Sequence, residues 1–473
     1  MPPNIISLLI DDLGARDLGC FGSSFYETPR LDQLAREGLS FSNAYAACPV
    51  CSPTRASMMS GKYPARVGVT QFIGGRGQGK LKSVPYLHYL PLEEKSIASS
   101  LREGGYATWH VGKWHLGDED FFPEKHGFDV NISGCHMGGP GKNGYFAPYA
   151  PEFNLPAPEG EYLTDRITDE AITLIRNRGD KPFFLNMSHY AVHTPLQAPA
   201  HLVAKYERKA KRMGLDQVDP IVLGESLPVL HKSDQRVERR MFQSHAVYAA
   251  MIENLDTNIG RLLDALEEEG LTKDTLVCFT SDNGGLSTVD GSPTCNFPFN
   301  EGKGWNYEGG TRVCQIARWP GVTAPSTVCG ENVQTCDFYP TFLEAAGLPL
   351  MPEQHVDGLS MMPLFKGGQN LDREAIYWHY PHYGNQGGRP ACSMVSGCWK
   401  LIENFEDGDL ELYHLDEDVS EQRNLSDVYP DRTRAMYKRM QAWQADVEAK
   451  IPEPNPDWLS EMKAPAIPNN AHI

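Results

Sequence analysis

Ile5 to Ile10 is an apolar run, relieved only by Ser7, that stops abruptly at Asp11-Asp12-Leu13-Gly14. A run of that length without polar alternation suits a strand buried on both faces, as in a parallel sheet between helices. The pattern returns along the chain. Thr28-Pro29 is expected to cap a helix carrying Leu31, Leu34 and Ala35, which Gly38 stops. Ile97 to Leu101 reads as helix, and Tyr106 to Val111 as a strand ending in Gly112-Lys113-Trp114-His115. Leu163, Ile167, Ala171 and Leu174 mark another helix, followed by the strand Phe183 to Met187 and then His189 and His193. The longest helix has a core-facing stripe of Tyr248, Met251, Ile252, Leu255, Ile259, Leu262, Leu263 and Leu266, and Gly270 ends it. The strand Thr275 to Thr280 runs into Ser281-Asp282-Asn283-Gly284-Gly285, and Cys314 to Ala317 reads as one more.

This order predicts an α/β fold whose large domain has a central, mostly parallel sheet flanked by helices. Asp11-Asp12, Lys113 with His115, His193, and Asp282-Asn283 all fall just past the C-terminal ends of these strands. Open α/β sheets build their sites along that edge. From about Arg373 the texture changes to short strands at Met394-Val395, Trp399 to Ile402 and Leu410 to Leu415, then a helix from Arg432 to Val447. We therefore expect two domains, 1–372 and a smaller α+β unit at 373–473, with an irregular proline-rich strap from Ile451 to Ile473. The charged stretch Lys205 to Arg240 reads as an insertion near the site. Gly74-Gly75-Arg76-Gly77-Gln78-Gly79 has the wrong spacing for a dinucleotide fingerprint and no strand before it.

The formal charge of -18 argues against nucleic acid as a partner, because phosphate binding needs a basic footprint. An anionic substrate is compatible with that charge only where cations cluster locally. No apolar run reaches the length of a membrane span, so no membrane association is expected. Met1-Pro2-Pro3-Asn4 leads straight into the first strand, with no basic segment or cleavable apolar segment before it. Eleven cysteines, an odd number without framework spacing, favour a reducing compartment. A cytoplasmic protein is expected, the alternative being an export signal already removed.

The stretch that carries the chemistry is Cys51-Ser52-Pro53-Thr54-Arg55. Pro53 suits the first turn of a helix, where its missing N–H costs nothing. Cys51 then sits at the helix N-terminus, where unpaired amides favour negative charge, and Arg55 returns to the same face one turn later. Cys48-Pro49-Val50-Cys51 is also a C-x-x-C, but no second pair stands at zinc-binding spacing. A thiol phosphatase would need its arginine at position 57, which is Ser57.

Cys-x-Pro-x-Arg, continued by Ser60-Gly61-Lys62-Tyr63-Pro64, resembles the signature of the type I, formylglycine-dependent sulfatases of the alkaline-phosphatase-like superfamily. Ser60 and Lys62 stand where Thr and Arg are usual. The resemblance implies that a maturation enzyme oxidises Cys51 to formylglycine, whose hydrate is the nucleophile. It implies an alkaline-phosphatase-like large domain and a four-stranded antiparallel sheet in the small one. Further blocks extend it: Gly112 to Gly117, His193-Thr194-Pro195, Gly302-Lys303-Gly304, Trp399-Lys400-Leu401 and Glu411-Leu412-Tyr413.

Asp11, Asp12, Asp282 and Asn283 offer only oxygen ligands, which suits a hard cation. By resemblance that ion is calcium, with magnesium second. Lys113 and His115, two apart on an extended segment, are expected to point the same way. By resemblance Lys113 and Lys303 bind sulfate, His115 is the base that regenerates the aldehyde, and His193 protonates the leaving alcohol. With Arg55 they supply the local positive field that the net charge lacks. His379-Tyr380-Pro381-His382-Tyr383-Gly384-Asn385-Gln386-Gly387-Gly388-Arg389 mixes aromatic faces with polar tips, as sugar sites do. His382, Asn385 and Arg389 are its candidate readers. The expectation is a sulfuric ester hydrolase removing sulfate from a terminal sugar, galactose or N-acetylgalactosamine sulfate. The alternatives are a phosphonate or phosphate monoester hydrolase of the same superfamily and an unmatured protein that binds sulfated glycans.

Overall fold

The computed structural model describes residues 2–75 and 77–458. Arg76 of the glycine-rich run and the expected strap beyond position 458 lie outside the described residues. One eight-stranded sheet organises the larger part of the chain. Its strands are β1 (Asn4–Ile10), β2 (Leu39–Phe41), β3 (Ala107–Gly112), β4 (Val130–Ile132), β5 (Phe183–Ser188), β6 (Thr275–Ser281), β7 (Gln315–Arg318) and β8 (Thr327–Cys329), in the order β8-β2-β7-β6-β1-β5-β3-β4. Strand β1 pairs in parallel with both β5 and β6, and β3 in parallel with β4 and β5. Only β7 runs against its neighbours, β6 and β2. The sheet is mostly parallel, as its two-face burial requires.

All seven residues of β1 are buried. Alternation sends Ile6, Leu8 and Ile10 to one face of the sheet and Ile5 and Leu9 to the other. On the first face pack α4 (Leu163–Arg176) and α6 (Ala246–Glu268), numbered after α1 (Pro29–Glu37), α2 (Cys51–Ser60), α3 (Ile97–Glu103) and α5 (Ala200–Arg212). On the second lie α2, α3 and α7 (Phe338–Ala345). The stripe from Tyr248 to Leu266 is buried throughout. Each large side chain on it contributes about 1.5–3 kcal/mol by leaving water. The cap expected at Thr28 differs in detail. Its hydroxyl donates to Asp32 Oδ1 at 2.9 Å and accepts from Gly19 N, so no side-chain cap forms. The hydroxyl oxygen that would accept from a helix amide is engaged by Gly19 N instead, and its proton is held by the Asp32 carboxylate.

The smaller unit is an antiparallel meander of β9 (Ile376–Tyr380), β10 (Ala391–Ser396), β11 (Trp399–Asn404) and β12 (Leu410–His414). Helix α8 (Pro430–Asp446) covers one face with Met436, Met440 and Trp443. The other face, with Trp378, Val395, Ile402 and Tyr413, meets Tyr45 and Tyr307 of the larger part. The stretch Lys205 to Arg240 forms the end of α5 and an antiparallel hairpin, Ile221–Ser226 with Arg236–Arg240. Leu227, Val229 and Val237 of this hairpin region pack with Trp305 and Tyr383. No helix among the described residues is long and apolar enough to cross a membrane.

Candidate active site

Helix α2 begins at Cys51, and all ten of its residues are buried. The approach to it is pinned locally. Cys48 N donates to Thr54 Oγ1 at 3.0 Å, and the same hydroxyl donates to Cys48 O at 3.0 Å. Gly61, at φ +71°, closes the helix, and a side chain there would run into His355. Ser52 Oγ accepts from Ile73 N at 3.1 Å, which draws the following loop over the helix start.

Arg55 does what its place one turn on predicts. Its Nε and Nη2 reach Asp282 Oδ2 at 2.9 and 2.8 Å, and Nη1 donates to Lys113 O at 2.9 Å. Three segments distant in sequence are thereby tied at one guanidinium. Asp11 and Asp12 leave β1, and Asp282 and Asn283 leave β6, its neighbour. Asp12 N donates to Asp282 Oδ1 at 3.2 Å and Asn283 Nδ2 to Asp12 Oδ1 at 2.9 Å. Lys113 Nζ stands 2.7 Å from Asp11 Oδ2, and Lys303 Nζ 2.6 Å from Asp12 Oδ1. His193 Nε2 lies 3.7 Å from Asp12 Oδ2.

The extended geometry expected between Lys113 and His115 is absent. Gly112 has φ +101° and His115 φ +57°, so the chain kinks as it leaves β3. Both side chains still enter the cluster, by a route that strand alternation does not describe. His115 Nε2 meets Ile73 O at 3.1 Å, and a carbonyl only accepts, so Nε2 carries the proton. Nδ1 is left as a lone pair, 3.5 Å from Cys51 Sγ. By the same argument Thr194 O, 2.7 Å away, fixes the proton of neutral His193 on Nδ1 and frees Nε2.

Burial sets the protonation of these groups, and the neighbouring charges modify it. Burial, with Asp282 and Asp12 adding to it, pushes Asp11 up to about 8 although Lys113 pulls it down. For Asp12 burial also raises, but Lys303, His193 and Lys113 outweigh it and hold the carboxyl below its usual range. Burial and Lys113 hold His115 well below the ordinary imidazole value, and burial with Lys303 lowers His193 to about 4. Burial raises the Cys51 thiol, so the cysteine itself is a poor nucleophile here.

The oxygen set fits a hard cation. Asp11 Oδ1 and Asn283 Oδ1 are buried acceptors without a protein donor, beside the carboxylates of Asp12 and Asp282. Asp11, Asp12 and His193 also bring one ligand atom each within 4.8 Å of one another. Lone pairs left open in a dry site are what a bound ion satisfies.

The three candidate readers stand elsewhere in this neighbourhood. The loop after β9 packs on the Lys303 loop: added side-chain atoms at Gly304 or Gly388 would clash with Gln386 and with Gly304 O. His382 is fully buried, its Nε2 2.9 Å from Thr70 Oγ1, with Tyr86 and Tyr380 edge-on. Asn385 is half-buried with an unpartnered Oδ1, and Arg389 is exposed and pairs with Glu406 at 3.1 Å. His379 and Tyr380, grouped with this stretch by composition, form the end of β9.

Two supports escaped the sequence reading. Tyr248 OH reaches Asp12 O at 3.2 Å and Asp17 Oδ2 at 2.7 Å, and Asp17 also accepts from Gly14 N, Thr294 and Gln243. A hydroxyl within an apolar stripe was the available signal. Asp17 carried none.

Residues 3–348 match the family model described as Sulfatase. The chain belongs to the sulfatase family. Residues 300–446 match a second model, N-sulphoglucosamine sulphohydrolase, C-terminal. A protein named Sulfatase from Formosa agariphila is 31% identical, covering 93% of this chain and 88% of its own. N-acetylgalactosamine-6-sulfatase from Mus musculus is 33% identical over 80% of this chain and 69% of its own. Steryl-sulfatase from Mus musculus is 30% identical over 80% and 67%. Among solved structures, Ps i-CgsB in complex with k-i-k-neocarrahexaose superposes with a TM-score of 0.74 at 29% identity, covering 94% of this chain and 93% of that one. This sulfatase is accordingly an enzyme, a sulfuric ester hydrolase of the type I group.

Proposed function

We propose that this sulfatase releases sulfate from a sulfated sugar, acting at a terminal galactose or N-acetylgalactosamine sulfate. Cys51, matured to formylglycine by a dedicated enzyme, supplies the nucleophilic hydroxyl. The observation that carries the reading is the meeting of Cys51 at a helix start with Arg55, Lys113, Lys303, His115 and His193. In this reading Asp11, Asp12, Asp282 and Asn283 hold calcium, with magnesium as the second candidate. The ion supplies positive charge beside the ester's sulfonate oxygens.

The chain's own groups account for the remaining steps. Once a bound cation ionises Asp11, three carboxylates, Asp11, Asp12 and Asp282, face three cations, Arg55, Lys113 and Lys303, so their formal charges cancel. Any bound dication therefore leaves the site net positive toward a sulfate ester, against a global charge of -18. Lys113 and Lys303 hold sulfonate oxygens and stabilise the charge that moves onto them. One hydroxyl at position 51 bonds to sulfur as the sulfur–oxygen bond to the alcohol breaks, and His115 Nδ1, kept unprotonated by Ile73 and by its low basicity, takes the proton of the second hydroxyl when sulfate is expelled and the aldehyde returns. His193 Nε2, unprotonated in the free site, takes up a proton from solvent once the anionic ester lies beside it and passes that proton to the departing alcohol oxygen. Water then rehydrates position 51 for the next turnover, and the products are the alcohol and sulfate.

The relatives named N-acetylgalactosamine-6-sulfatase and the Ps i-CgsB complex with k-i-k-neocarrahexaose support a sugar substrate. We assign catalysis to residues 1–372 and sugar reading to the unit 373–473, through Asn385 and Arg389 with His382 behind them. The test is turnover of the matured protein on galactose and N-acetylgalactosamine sulfates, an aryl sulfate, an aryl phosphate and a steryl sulfate. The sugar sulfates are expected to be cleaved fastest by kcat/KM. Cys51→Ala is expected to lose at least ~10³-fold on every sulfate. Unchanged turnover in Cys51→Ala, or faster cleavage of the phosphate, contradicts the chemistry. Preference for the steryl ester contradicts the sugar.

A further inference from the structure

Cys398, His414 and Asp416 meet at one edge of the small sheet, and none of them takes part in the site described above. Cys398 lies in the tight turn between β10 and β11, just after Gly397 at φ +58°. His414 ends β12, and the antiparallel register sets it opposite Trp399. Leu415 N donates to Cys398 O at 2.8 Å, so the two backbones are locked where the side chains converge. Cys398 Sγ stands 3.4 Å from His414 Nε2. A carboxylate oxygen of Asp416 completes a set whose ligand atoms all lie within 4.8 Å of one another. Trp399 packs edge-on against the imidazole, with ring centres 4.6 Å apart, and Arg432 stacks 4.2 Å from the Trp399 ring centre. The ring is thus held with Nε2 toward the sulfur.

This donor set differs in kind from the oxygen-only cluster at Asp11. Sulfur and imidazole select borderline ions such as zinc over calcium. With metal–sulfur and metal–nitrogen bonds of about 2.3 and 2.0–2.1 Å, a tetrahedral ion sets S···N near 3.5 Å. The observed 3.4 Å needs almost no rearrangement.

We propose that Cys398, His414 and Asp416 bind one zinc-type divalent cation, with water in the fourth position. The thiol gives its proton to solvent as the metal–sulfur bond forms, and thiolate and carboxylate balance the ion's two charges. The ion ties the turn before β11 to the end of β12, at the rim of the small unit. It rests on no feature of the catalytic reading.

Cobalt(II), titrated into the full-length chain, reports the site through its thiolate charge-transfer band. The expected result is a band saturating at one equivalent and displaced by zinc. It should persist in Cys51→Ser and vanish in Cys398→Ser, which keeps the size of the side chain. Asp416→Asn, a substitution of the same size at an exposed position, should weaken cobalt binding at least ~10-fold. No band in the wild-type chain, a band surviving in Cys398→Ser, or one lost in Cys51→Ser overturns the proposal. Unchanged affinity in Asp416→Asn overturns the three-ligand assignment.

Discussion

Ile73 O accepts the hydrogen bond from His115 Nε2 and leaves Nδ1 facing position 51, which is what the proposed role of His115 as a base requires. The residue types at Lys113 and His115 were legible in the sequence, and so was their shared destination. The reason offered for it, strand alternation, was not the operative one. A left-handed kink at Gly112 and His115 turns both side chains inward, and local sequence spells only the glycine of that kink. A Cβ at Gly112 would lie 1.9 Å from Ser188 O in the neighbouring strand. Gly112→Ala should therefore cost about 2–5 kcal/mol in chemical denaturation, from backbone strain and overpacking together. Turnover should fall with it, because Lys113 follows directly. A fully stable, fully active Gly112→Ala would show that the kink is dispensable. At Asp282, Arg55 is the buried partner, both side chains being almost wholly inaccessible. Asp282→Ala should destabilise by about 3–5 kcal/mol by stranding that guanidinium. It should also weaken calcium binding at least ~10-fold by calorimetry. Undiminished calcium affinity would move the ion elsewhere.

At the scale of elements, strand and helix order was readable because burial on two faces forces continuous apolar runs and burial on one face forces stripes. Strand β1 and helix α6 show the two cases. The strands that escaped, β2, β4 and β8, are three residues long, too short to show a period. Strand β9 escaped because His379 and Tyr380 look like surface recognition residues, whereas His379 is buried and bonded to Lys450 O at 3.0 Å. The start of helix α2 was placed correctly from Pro53, but the element that aims it, the Thr54 hydroxyl on Cys48, had no signature. Thr54→Val keeps the shape and deletes both hydrogen bonds. It should cost about 1–3 kcal/mol, and it should slow turnover of the matured enzyme while leaving α2 formed. Native stability with native turnover would remove Thr54 from the positioning of residue 51.

Across the whole molecule, a buried ion cluster fastens the small sheet to the larger part. Lys400 Nζ on β11 reaches Glu308 Oε1 and Glu421 Oε1, each at 2.9 Å, and Arg312 Nε reaches Glu308 Oε2 at 2.6 Å. Burial raises both carboxyls, but Lys400 and Arg312 overcome it at Glu308 and hold that group at about 2. At Glu421 burial wins and pushes the carboxyl from 4.5 up to about 8. Between those values the folded chain keeps a proton that the unfolded chain has lost, so stability falls as the pH rises through the window. Glu421→Gln fixes the neutral form. Wild type should therefore lose stability relative to Glu421→Gln from about pH 5 to 8, by up to roughly 1.4 kcal/mol per pH unit. A flat difference across that range would mean that Glu421 is ionised in the folded chain. The acidic total and the cationic site are likewise properties of the whole fold: -18 overall, with Arg55, Lys113 and Lys303 gathered at one sheet edge. In the proposed mechanism all of this serves chemistry at the side chain of residue 51. Its state is read directly from the mass of the peptide spanning Cys51 in protein isolated from its native host. The account predicts a peptide lighter by the exchange of H₂S for one oxygen, in step with sulfatase activity. Fully active protein carrying an unmodified cysteine at position 51 would contradict it.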